Sequence, residues 1–117
     1  MSEKILIIPK ETKIIEKGAY AGDLNIEKAV IPEGVTEIAE EAFIFCDHLV
    51  SVVLPSTIKR IGKSAFQECV NLSEINFPEE LEEIGEAAFC NCLSLKLPRL
   101  SEKTKIGEMA FHHTVKN

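Results

Sequence analysis

Tryptophan is absent from this sequence and tyrosine occurs once, so the large side chains that often anchor partners come down to six phenylalanines. No apolar run approaches the ~20 residues that a membrane-spanning helix needs. Positive charge is also short: 13 Lys and Arg stand against 19 Asp and Glu, a net charge of −6. An acidic surface repels phosphate backbones and anionic headgroups, which argues against nucleic acid and against membrane insertion. There is no glycine-rich phosphate loop, no H-E-x-x-H pattern and no Ser, His and Asp set at a suggestive spacing. The four cysteines lack the C-x-x-C spacing of a zinc or redox site. The expectation is therefore no catalytic residue, no cofactor and no metal.

What the sequence has is repetition. Pro9, Pro32, Pro55 and Pro78 are 23 residues apart. Ala42-Phe43, Ala65-Phe66 and Ala88-Phe89 keep that interval, as do Cys46, Cys69 and Cys92, and Leu49, Leu72 and Leu95. Ile15, Ile38, Ile61 and Ile84 form another such column, with Ile106 after 22 residues. The unit reads P-x-x-V/I/L-x-x-I-G/A-x-x-A-F-x-x-C-x-x-L-x-x-V/I-x-L/F. Units are expected at about 9–31, 32–54, 55–77, 78–97 and 98–117, with an N-terminal strand over 3–8. All belong to one domain, 1–117, and 45% apolar content is enough for a packed core.

Each unit divides into two parts. Ile75 and Phe77 alternate with polar residues as in a strand, which Pro78 stops. Ile58, Ile61, Ala65, Phe66, Cys69 and Leu72 are spaced by three and four, as on a short helix with one buried side. Such a unit cannot bury its apolar face alone, so the units must stack with strands parallel and equivalent residues in columns. The fold class is an α/β repeat solenoid. Gly62, Gly85 and Gly107 share a column with Ala39 and Glu16, so that site reads as a close approach rather than a left-handed turn. Lys17, Glu40, Lys63 and Glu86 alternate in sign along one column, and Glu37, Arg60, Glu83 and Lys105 along another. Lys59 lies over Glu82. Such pairs favour the correct register.

The stretch Leu54-Pro55-Ser56-Thr57-Ile58-Lys59-Arg60-Ile61-Gly62-Lys63-Ser64-Ala65-Phe66-Gln67-Glu68-Cys69 resembles the BspA-like class of leucine-rich repeats, and the resemblance runs over about residues 5 to 111. It implies a right-handed superhelix with parallel strands on the concave face and short helices or turns on the convex face. It also implies adhesion or protein recognition at a bacterial surface, with no catalytic residues. Met1 to Pro9 does not read as a signal peptide, so the resemblance points to the surface while the sequence itself points to the cytoplasm.

Cys46, Cys69 and Cys92 read as small core hydrophobes, and Cys90 as a more exposed thiol. His112 and His113 read as a loose tail, and Glu79 to Glu86 as a solvated, charge-paired run. Thr114 and Asn117 place polar residues in the Cys and Leu columns, as in a closing unit. On the strands, Leu6, Ala29, Val52 and Ile75 face inward with Ile8, Ile31, Leu54 and Phe77. Two outward columns remain: Ile7, Val30, Val53 and Asn76, and beside it Ile5, Lys28, Ser51 and Glu74. These eight residues are the candidate partner-binding surface for a protein, on the ground that exposed apolar stripes mark interaction sites. The competing explanation is that β-branched residues favour strands even when exposed. The apolar edge strand Ile5-Leu6-Ile7-Ile8 is a candidate homodimer contact, a join within a longer array or a tolerated free edge. The alternative to a binding module is a structural repeat unit or fragment of a longer surface protein with no partner of its own.

Overall fold

A computed structural model describes residues 4–96 and 99–115. Among the described residues nine short strands follow one another: β1 Ile5–Leu6, β2 Ile14–Ile15, β3 Lys28–Val30, β4 Glu37–Ile38, β5 Ser51–Val53, β6 Arg60–Ile61, β7 Glu74–Ile75, β8 Glu83–Ile84 and β9 Lys105–Ile106. They form two parallel sheets. The front sheet has the order β1-β3-β5-β7 and the side sheet the order β2-β4-β6-β8-β9. Registers follow the sequence repeat: Ile5 pairs with Lys28, Lys28 with Ser51, and Ser51 with Glu74. The chain is thus a solenoid of stacked rungs, each made of a front strand, a turn, a side strand and a longer arc back.

The side sheet has no counterpart in the sequence reading, which assigned Ile58 to Leu72 to one helical turn. It has two residues per rung. Ile15, Ile38, Ile61 and Ile84 point into the core and are at most 3% exposed. The charged column Glu37, Arg60, Glu83 points outward.

No helix occurs among the described residues, which corrects the α/β expectation and the convex helices. Hydrogen bonding along the arcs gives the reason. In the second arc the N–H groups of Ala42, Ile44 and Cys46 bond locally to the carbonyls of Ala39, Glu41 and Phe43. Those of Glu41, Phe43 and Phe45 instead reach the next rung, at Lys63, Ala65 and Gln67, over 2.7–3.0 Å. An α-helix needs every N–H for its own carbonyl four residues back. Here alternate N–H groups lie along the stack axis, so the arcs are ladders between rungs. Two residues per arc take left-handed backbone to achieve this: Glu41 and Phe45, Ser64 and Glu68, Ala87 and Asn91, Met109 and His113, with Gly18 and Gly22 in the first arc. For residues other than glycine this costs about 1–2 kcal/mol each.

Identical columns become ladders in the core. Tyr20, Phe43, Phe66, Phe89 and Phe111 stack with centroids 5.1–5.3 Å apart and planes within 19°. Phe77 meets Phe89 and Phe111 edge-on. Phe43, Phe66, Phe89, Ile38, Ile58 and Leu72 are among the fully buried side chains. The glycine column behaves as expected. At Gly85 a Cβ would lie 2.7 Å from the backbone nitrogen of Lys63, and at Gly62 2.8 Å from that of Glu40, both in the preceding rung. Glu16 sits in the first arc of the described stack, where no described rung lies beneath it.

The fifth unit differs from expectation. Thr104 N–H bonds to the carbonyl of Ser101 as Leu81 N–H does to that of Pro78. Ser101 therefore occupies the proline column, and the unit boundary expected at Pro98 moves to about residue 101. Lys105 then pairs with Glu83, 22 residues back, so one residue is lost between Thr104 and Lys105. Residues 97 and 98, the start of the expected strand at Glu3, and Asn117 lie outside the described residues.

Candidate functional site

Side-chain alternation on the front sheet divides core from surface. Ala29 and Val52 are buried, while Val30 and Val53 are 42% and 41% exposed. Ile5 and Ile7 are 47% and 81% exposed, Glu74 and Asn76 are exposed, and Lys28 and Ser51 are half-buried. All eight candidate residues thus have solvent contact on one sheet. They do not form one site. Lys28, Ser51, Val53, Glu74 and Asn76 line an open trough of about 600 Å³ together with Lys96. Ile5, Ile7 and Val30 are not part of its lining. Lys96, missed by the sequence reading, reaches the trough because it bridges to Val115 across the last two rungs. Lys96 follows Leu95 as Ser73 follows Leu72 and Val50 follows Leu49, a column outside the two outward ones singled out from the sequence.

The apolar column ends at Asn76, whose side chain is not free. Its Oδ1 accepts the N–H of Leu54 at 2.7 Å and its Nδ2 donates to the carbonyl of Leu54 at 3.0 Å. One rung earlier the equivalent partner is a main-chain carbonyl: Ile31 N–H bonds to that of Val53 at 2.9 Å.

The chemistry-bearing residues are accounted for structurally. The thiols of Cys46, Cys69 and Cys92 donate to the carbonyls of Tyr20, Phe43 and Phe66, over 3.1–3.2 Å. Burial pushes the Cys92 thiol up to about 12, and the Cys90 thiol is raised by burial and by the Glu68 carboxylate. Cys90 was expected to be exposed but is buried, at 6% exposure, because its segment is an arc folded against the next rung rather than a helix. His112 and His113 form part of a fifth arc instead of a loose tail: Asn91 N–H bonds to the carbonyl of His112 at 2.8 Å. Asn91 Nδ2 donates to Glu68, so its Oδ1 accepts from His113 Nδ1–H at 2.8 Å. Within the acidic run, Glu82 pairs with Arg60 at 3.8 Å, rather than with Lys59, and Glu80 with Lys103 at 3.4 Å. Among the described residues no three His, Cys, Asp or Glu side chains converge as a metal site. No described helix is long and apolar enough to cross a membrane.

The family described as BspA type leucine rich repeat region matches residues 2–116 in six copies. A leucine-rich repeat protein of T. pallidum is 28% identical, with a TM-score of 0.84 over 94% of this chain and 54% of that one. A leucine-rich repeat protein from Bacteroides ovatus is 28% identical, with a TM-score of 0.73 over 94% of this chain and 34% of its own. A leucine rich cell surface protein from Faecalibacterium prausnitzii shares the fold at 18% identity, with a TM-score of 0.70 over 97% of this chain and 38% of that one. This chain therefore spans about half or less of each of these structures. A comparison with curated proteins finds no match.

Proposed function

The chain belongs to the BspA-type leucine-rich repeat family, and from that premise we propose that it is a non-catalytic protein-binding module that uses its front sheet. Repeat solenoids present extended surfaces on which partners are held by side chains in register. One observation carries the reading: Val30 and Val53 stand in direct register and both remain over 40% exposed, beside the open trough that Lys28, Ser51 and Glu74 line. Exposed apolar side chains rimmed by polar ones are the usual mark of a protein contact. An extended partner segment crossing the strands would set apolar side chains on Val30 and Val53, with an acidic group toward Lys28 and a basic one toward Glu74. Action at a bacterial cell surface, as in adhesion, is part of the proposal and rests on family membership.

The test is a pull-down from lysate and surface fractions with wild type and with Val30→Lys plus Val53→Lys. Both positions face outward, so the fold is retained. A partner captured by wild type and lost by the variant supports the reading. A partner indifferent to the variant sinks it.

A second reading has its own observation. Among the described residues Ile7 is the most exposed large apolar side chain at 81%, and Ile5 and Ile14 at the same edge are 47% and 41% exposed. We propose a homodimer through this edge. It requires a sedimenting species of twice the chain mass that Ile7→Lys reduces to monomer.

A further inference from the structure

Phe45 is a residue that neither the core nor the backbone requires. It is 53% exposed, although the ring two residues before it, Phe43, is fully buried in the aromatic stack. Its backbone is left-handed, with φ of 59°. Its column mates are Gly22, Glu68, Asn91 and His113. Glycine, asparagine and histidine are the types that such a backbone accommodates best, whereas a bulky side chain there is an outlier. Strained residues that no packing demands are candidates for function.

The arcs around Phe45 are predominantly acidic. The first three arcs, residues 16–24, 39–48 and 62–71, hold six carboxylates, Glu16, Asp23, Glu40, Glu41, Asp47 and Glu68, and two lysines, Lys17 and Lys63. Glu68 stands one rung above Phe45 in the same column, with its carboxylate held by the amide of Asn91. Glu41 and Asp47 lie on the same arc. Leu24, 55% exposed, lies one rung below Asp47 and adds apolar surface. An exposed aromatic face amid carboxylates attracts a guanidinium, which can stack on the ring and pair with a neighbouring acid.

We propose that this arc is a second docking surface, for a basic partner segment in which an arginine stacks on Phe45 and flanking basic groups meet Glu41, Asp47 and Glu68. It faces a different side of each rung from the front sheet and does not depend on the reading given to that sheet.

The experiment is an NMR titration with a synthetic peptide of alternating arginine and leucine, against a control of alternating glutamate and leucine. The arginine peptide is expected to shift the Phe45 ring and the amides of Glu41 and Asp47. Phe45→Asn suits the left-handed backbone, and is expected to weaken binding at least tenfold while melting no lower than wild type. Val30→Lys plus Val53→Lys is expected to bind the peptide as wild type does, which separates this surface from the front sheet. Absence of binding, equal binding of the control peptide, or undiminished binding to Phe45→Asn (charge attraction alone) overturns the proposal. So does a Phe45→Asn variant that melts lower, since Phe45 would then serve the fold.

Discussion

The side-chain amide of Asn76 substitutes for a strand peptide against Leu54, bonding to both its N–H and its carbonyl. The front sheet gains a cross-rung contact there, although β7 is a residue shorter than β5.

Asn76→Asp keeps the shape but replaces the Nδ2 donor with an oxygen facing the Leu54 carbonyl. At neutral pH it should destabilise the protein by about 1–3 kcal/mol. The penalty should shrink as the pH falls and the new carboxylate takes up a proton. Urea unfolding of both proteins at pH 7 and pH 4 checks both statements.

Gly85 and Gly18 should respond to alanine for different reasons. At Gly85 the added methyl meets backbone of the preceding rung at 2.7 Å, which no side-chain rotation can relieve. The expected loss is about 3 kcal/mol, at the upper end for overpacking. At Gly18 nothing lies within 4 Å, and only the left-handed φ of 64° resists. The expected loss there is about 1 kcal/mol. Equal melting temperatures for the two variants would contradict the close-approach account.

Ala87→Gly should stabilise the protein, which is unusual for this substitution. Ala87 sits at φ of 55°, where alanine is strained and glycine is not. The relief of about 1–2 kcal/mol is partly offset by the greater freedom of glycine in the unfolded chain, about 0.5–1 kcal/mol. A net gain of up to about 1.5 kcal/mol should appear as a higher urea midpoint.

Alkaline pH should weaken the fold through Cys92. Cys92 is raised to about 12, so from about pH 8.5 upward the unfolded chain loses that proton while the folded chain keeps it. The folded state then binds more protons, and stability falls as pH rises across that window, with a slope of up to about 1.4 kcal/mol per pH unit from this thiol. Equilibrium unfolding between pH 8 and pH 11 measures the slope, and Cys92→Ala should flatten it. Native-state labelling at pH 8 should be slow at all four thiols.

The repeat, the parallel stacking and the inward columns were legible in the sequence because burial recurs at a fixed interval. Spacings of three and four between Ile61, Ala65, Phe66 and Cys69 occur equally in a helix and in a turned arc. What distinguishes them is the direction of alternate N–H groups, which leaves no trace in residue type. That one ambiguity hid the side sheet, and it misplaced Cys90 and His113. Pro98 was read as a column member from its identity, whereas the hydrogen bond from Thr104 to Ser101 sets the register. On the front sheet, alternation alone identified which side chains face solvent. The amide clip at Asn76 was invisible, because one side chain bonding to backbone creates no periodicity.

The charge columns have a period of their own. Glu37, Arg60 and Glu83 alternate in sign, as do Lys17, Glu40, Lys63 and Glu86, with the contacts Arg60–Glu37 at 3.9 Å and Lys17–Glu40 at 4.0 Å. The core columns are apolar throughout on the second, third and fourth rungs. Excising residues 55–77 would set Phe43 against Phe89 and Ile38 against Ile84, a core unchanged in kind. On the surface it would set Glu37 against Glu83 and Glu40 against Glu86. Removing two units instead restores opposite signs. The interior of this solenoid counts in single rungs, whereas its surface has a parity, and arrays shortened or lengthened by an even number of units keep it.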